Sequence, residues 1–84
     1  MIATRTAAVA GTFYPADPAV LQHEVDELLA GASCDIDAPP NVCRPKALIV
    51  PHAGYRFSGP TAATAYRCLS PVNQDISRVI VIGP

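Results

Sequence analysis

Charge is scarce in this sequence: 15% of its 84 residues are charged, and Lys46 is the only lysine. Six basic residues are scattered against seven acidic ones, for a formal net charge of −1. A nucleic-acid-binding face needs Lys and Arg gathered into a patch that displaces counterions, so no nucleic-acid partner is expected. Long apolar runs are missing too. No stretch approaches the roughly 20 residues that cross a bilayer, and the small-residue stretch 7–11 is too short for a secretory core. No membrane partner is expected, and the cytoplasm is the expected compartment. Cysteine is sparse and odd in number: Cys34, Cys43 and Cys68, with no C-x-x-C pair. That arithmetic argues against a disulfide framework and a zinc ribbon, and leaves reduced, partly buried thiols as the expectation.

Apolar residues, by contrast, make up 50% of the chain. That content excludes a disordered segment. A chain this short buries only roughly 60–65% of the surface its unfolded form exposes. Apolar surface is therefore expected to remain for a partner or for a further part of the same protein.

The opening residues lack a clean period. Ala8-Val9-Ala10-Gly11-Thr12-Phe13-Tyr14 reads as a short extended segment, and Pro15 biases Tyr14 away from helix. A helix over 18–30 follows. Asp17 suits its cap and Pro18 its first position. Leu21, Val25, Leu28 and Leu29 form one apolar stripe at helical spacing, and Gly31 suits the stop. His23 falls on the opposite face, solvated or paired with Glu27 four residues on. The stretch from Cys34 to Pro45, with three prolines and no period, reads as a surface loop.

Two continuous apolar runs come next: Ala47-Leu48-Ile49-Val50 and Val79-Ile80-Val81-Ile82. Such runs are the mark of strands buried on both faces of a parallel sheet. Between them, Gly59 reads as a helix cap, Pro60 as the first helical residue and Ser70-Pro71 as the end. The expected fold class is α/β: a right-handed βαβ unit with parallel strands, preceded by an extended segment and a helix. Two strands alone would leave a sheet edge uncovered, and self-association through it is expected.

Open α/β sheets bind ligands beyond the carboxyl ends of their strands. Pro51-His52-Ala53-Gly54-Tyr55 follows the first run there. A neutral imidazole at His52 can ligate a metal or move a proton, or be satisfied by a backbone hydrogen bond. One histidine does not make a metal centre, which commonly takes about three protein ligands. Gly54 to Thr61 fits G-x-x-x-x-G-K-[ST] except that Pro60 stands where the lysine should meet the phosphates. With that cation missing and Tyr55, Arg56 and Phe57 crowding the loop, nucleotide binding is not expected. A helix N-terminus at residues 59–62, with Arg56 nearby, could still attract an anion. Ser58 lacks a nucleophile elbow, and its hydroxyl is expected to support the start of the second helix.

Residues 51–59, Pro-His-Ala-Gly-Tyr-Arg-Phe-Ser-Gly, resemble the P-H-A-G-Y-x-[YF]-x-G signature of the Memo family, also called AmmeMemoRadiSam system protein B. Ala10-Gly11-Thr12-Phe13-Tyr14-Pro15 resembles the family's opening AGxFYP segment, and Ala62-Ala63-Thr64-Ala65-Tyr66 its A-A-x-A-Y helix. Residues 78–84 resemble the strand leading to its Gly-Pro-Ser-His motif. The resemblance implies a fold similar to class III extradiol dioxygenases, with a metal site of two histidines and a cysteine. It associates iron or copper and redox activity with the family, and phosphopeptide binding with an animal member. It makes His52 the first metal-binding histidine, and Phe13, Tyr14, Tyr55 and Phe57 the aromatics around a pocket for a small molecule or peptide.

The family's chains are much longer, and this sequence stops at Gly83-Pro84, where the second histidine would follow. None of its cysteines matches the family's ligand. The expectation is that residues 1–84 are the N-terminal portion of a larger three-layer Memo-like α/β domain. The full-length form is expected to be a metal-dependent redox or dioxygenase-like protein. This chain is expected to be inactive and to hold no cofactor tightly. The alternative is a non-enzymatic peptide- or anion-binding module using the same pocket.

Overall fold

The structure is a computed structural model that describes residues 3–34 and 45–84. The first helix, α1, is Pro18–Ala30, with the bounds its sequence signals set. Asp17 Oδ1 accepts hydrogen bonds from the backbone N–H groups of Ala19 at 2.8 Å and Val20 at 3.2 Å. Two of the donors that a helix start leaves unpaired are thereby satisfied. Gly31 closes the helix by donating its N–H to the Glu27 carbonyl, in ordinary right-handed conformation rather than the left-handed one glycine permits. Leu21, Val25, Leu28 and Leu29 are half-buried as one stripe. The outer face carries the Gln22–Asp26 hydrogen bond and the His23–Glu27 pair, Nε2 to Oε1 3.1 Å. That pair is well exposed, so its contribution to stability is small.

The second helix, α2, is Tyr55–Arg67, capped at Gly54. It starts earlier than the Gly59-Pro60 pair suggests, and both residues lie inside it. Pro60 cannot supply an N–H to the carbonyl of Arg56, four residues back. Gly59 is a contact residue rather than a cap. It is buried, and a Cβ added there would sit 3.1 Å from Leu28 Cδ1. Any side chain there would press on Leu28, which would have to give by a few tenths of an ångström. Gly59, Ala62 and Ala63 share a small apolar cavity of about 90 Å³ with Val25, Leu28 and Leu29. A 3-10 helix, Ser70–Asp75, follows; its Val72, like Ala63 of α2, is buried. The chain leaving α1 is tied to the end of α2 by a disulfide between Cys34 and Cys68, whose Cα atoms are 4.9 Å apart.

The disulfide overturns the expectation of reduced thiols for this pair; Cys43 and most of the expected 34–45 loop lie outside the described residues. An odd cysteine count says nothing about two particular cysteines that separate helices bring together. The bond closes a sequence separation of 34 residues. Restricting an unfolded loop of that size stabilises the folded form by about 4 kcal/mol in the chain-entropy picture.

The α/β expectation is also overturned. The described residues hold two α-helices, the 3-10 helix and no strand or sheet, so there is no parallel βαβ unit. Residues 47–50 and 79–82 are irregular. Ile49 is 100% exposed, and Val81 and Ile82 are 87% and 93% exposed. An apolar run becomes a strand only when neighbours pair its backbone and cover both faces. A lone pair of four-residue strands is marginal, and the helices here bury against each other. With no sheet, the expected sheet edge is absent as well. The opening segment is not extended either. The only left-handed residue in it, Gly11 at φ 83°, lets residues 9–14 fold back on themselves.

Candidate functional site

The folded-back opening loop carries Phe13 and Tyr14. Its own backbone holds it: the N–H groups of Thr12 and Phe13 both donate to the Val9 carbonyl, and Gly11 N–H donates to Tyr14 O at 2.7 Å. One isolated bridge pairs Ala10 with Tyr14. The loop then joins α2. Tyr55 N–H, at the helix start, donates to the Phe13 carbonyl at 2.8 Å. Gly54 lies close against this junction: a Cβ there would be 3.4 Å from the Phe13 backbone.

Two aromatic positions distant in sequence are thus brought together. The Tyr14 and Tyr55 rings lie 5.7 Å apart at 37°, within the range where tilted aromatic pairs attract. Both side chains are half-buried, and Phe13 is 40% exposed. Phe57 is placed differently. It is 80% exposed, with the Arg56 guanidinium 5.7 Å from its ring centroid.

His52 is exposed on the link that runs from residue 51 into α2. Ser58 fixes that link: its hydroxyl donates to the Ala53 carbonyl at 3.0 Å, so the residue after His52 is held onto the first turn of α2. This is the supporting role its sequence position suggested. The anion site expected at residues 59–62 fails, because those residues lie inside α2 and their backbone N–H groups are not those of a helix start. The true start has already committed Tyr55, Phe57 and Ser58 N–H groups to backbone carbonyls.

A metal does not fit the described residues alone. No group of three or more His, Cys, Asp or Glu side chains among them could hold one. His23 is engaged with Glu27 on the outer face of α1, and Cys34 and Cys68 are bonded to each other. The larger cavity, of about 510 Å³, lies elsewhere, between the apolar runs, with Leu48, Val50, Tyr66 and Leu69 among its walls. Neither cavity described includes His52. No helix among the described residues is long and apolar enough to cross a membrane.

Sequence reasoning missed three features of this region. The Phe13 carbonyl that seats α2 and the contact role of Gly59 depend on tertiary packing. The Cys34–Cys68 bond had no signal in cysteine count or spacing.

The family model described as "Memo-like protein" matches residues 5–84. The chain is 39% identical over 85 residues to a MEMO1 family protein of Methanopyrus kandleri, covering 95% of this chain and 29% of that one. It is 41% identical over 80 residues to a MEMO1 family protein of Aquifex aeolicus, covering 95% and 26%. Against the memo-1 homolog of Caenorhabditis elegans it is 36% identical over 81 residues, covering 96% and 21%. The chain therefore spans under a third of the length of these relatives. No solved structure matches it.

Proposed function

The chain belongs to the Memo-like family, and on that premise we propose that it carries the histidine-and-aromatic part of a metal-dependent redox or dioxygenase-like site. In this reading His52 is one metal ligand of a family-length protein. Tyr14 and Tyr55, with Phe13 beside them, form an aromatic wall for a small molecule or peptide. Phe57 stands outside that wall, on the exposed side of α2. The observation that supports the reading most is the seam between Phe13 and Tyr55, which joins the opening loop to the segment bearing His52.

The chain's own residues do three things toward such a site. Gly54 and the Phe13 carbonyl seat the aromatic loop against α2. Ser58 holds the backbone beside His52. His52 offers an exposed imidazole, whose neutral form has a lone pair for a cation. Iron or copper would supply the redox chemistry, but a single imidazole binds metals weakly and without selectivity. The remaining ligands have to come from outside the described residues, so the 84-residue chain alone is expected to hold no metal tightly and to turn nothing over. The same reading sets the protein in the cytoplasm, which cell fractionation checks.

The test is metal analysis of a full-length relative, such as the Aquifex aeolicus protein, beside the variant with alanine at the position equivalent to His52. The variant should lose its iron or copper. Equal metal content in the two would overturn the ligand assignment.

A further inference from the structure

The cysteine pair lies apart from the aromatic seam and from His52. Cys34 sits on the chain leaving α1 and is exposed; Cys68 is the residue that ends α2 and is half-buried. We propose that Cys34 and Cys68 form a thiol–disulfide exchange site for small thiols of the glutathione class, and that its state sets how firmly α1 is held against α2.

Three observations carry this. The backbone brings the two residues to a Cα separation of 4.9 Å, inside the range a disulfide spans without moving the chain. The exposure of Cys34 leaves one sulfur open to attack by a small thiolate, which is the access requirement for exchange. The two sulfurs also differ in environment. Cys68 Sγ lies 3.5 Å from the Thr64 carbonyl, so the reduced thiol is placed to donate to it. Cys34 is exposed and Cys68 half-buried, so Cys34 is the sulfur that a small thiolate reaches first.

The exchange balances. In oxidation, the Cys34 thiolate attacks glutathione disulfide, forms a mixed disulfide and releases one glutathione. Cys68 gives up its proton and attacks the Cys34 sulfur, forming the Cys34–Cys68 bond and releasing the second glutathione. Two protein thiols are oxidised by two electrons and one glutathione disulfide is reduced to two thiols. Reduction runs the same steps backwards, beginning at the exposed Cys34 sulfur. The consequence for the fold follows from how little else fixes the helices. Ala63 and Val72 are the buried hydrophobic residues among those described, and the α1 stripe is only half-buried.

The experiment equilibrates the 84-residue chain, and its Cys43→Ser variant, in glutathione buffers from oxidised to reduced. Samples are acid-quenched, alkylated and mapped by peptide mass spectrometry. Both chains should show the Cys34–Cys68 cross-link, opening in a single transition toward the reduced side without denaturant. Glutathione should add to Cys34 in Cys68→Ser at least about ten-fold faster than to Cys68 in Cys34→Ser. Proteolytic cleavage within α1 should rise several-fold on reduction. A cross-link through Cys43 instead, or a pair that stays closed in excess reduced glutathione, would overturn the exchange site. Equal adduct rates would overturn the order of attack, and unchanged cleavage would overturn the link to α1.

Discussion

The helix pair and the two apolar runs treat their hydrophobic side chains in opposite ways. In α1 and α2, Leu28 sits on Gly59, Ala63 is buried, and a disulfide closes the ends. Residues 79–82 are each at least 74% exposed; in the other run Ile49 is fully exposed, while Leu48 and Val50 are half-buried. The difference is one of self-sufficiency. A helix satisfies its backbone within one segment and needs only one covered stripe. An apolar run of four residues satisfies nothing without neighbours on both sides. One region completes itself, and the other presents apolar surface that the described residues leave largely uncovered.

Removing what holds the helix pair should have the largest effects. Cys34→Ser should lower unfolding free energy by about 4 kcal/mol, read as a shifted urea midpoint. A midpoint unchanged from wild type under oxidising conditions would show that the bond does not hold the pair. Gly59→Val puts a side chain where Leu28 already sits, and overpacking of this kind costs about 1–3 kcal/mol. Losing the Asp17 cap in Asp17→Ala should cost about 1 kcal/mol, visible as a lower thermal midpoint by circular dichroism.

The apolar runs should behave in the reverse sense. Paired Ile80→Lys and Val81→Lys substitutions should leave the stability read from the urea midpoint within about 0.5 kcal/mol of wild type, since both residues are largely exposed. They should instead lower concentration-dependent association in sedimentation, because exposed apolar patches are adhesive. A large loss of stability in this variant would erase the contrast between the two regions.

The same contrast explains what was legible in the sequence. The bounds of α1 were readable because Asp17, Pro18, the Leu21–Val25–Leu28–Leu29 stripe and Gly31 all act locally. The start of α2 was misread because Gly59-Pro60 looks like a local cap, whereas a carbonyl from Phe13 seats the helix at Tyr55. The two runs had the composition of strands, but composition cannot supply the missing neighbours. The disulfide depends on where two chain segments end in space, which residue spacing does not encode. At the candidate site, the motif resemblance grouped Phe13, Tyr14 and Tyr55 with the segment carrying His52, and the seam at Tyr55 joins the same segments. It also grouped Phe57, which lies at 80% exposure under Arg56.

Hydrogen–deuterium exchange on the oxidised 84-residue chain tests the division most directly. Amides in Pro18–Ala30 and Tyr55–Arg67 should exchange slowly, while those of residues 47–50 and 79–82 exchange at nearly the rate of an unstructured peptide. Protection of the apolar runs equal to that of the helices would contradict the account.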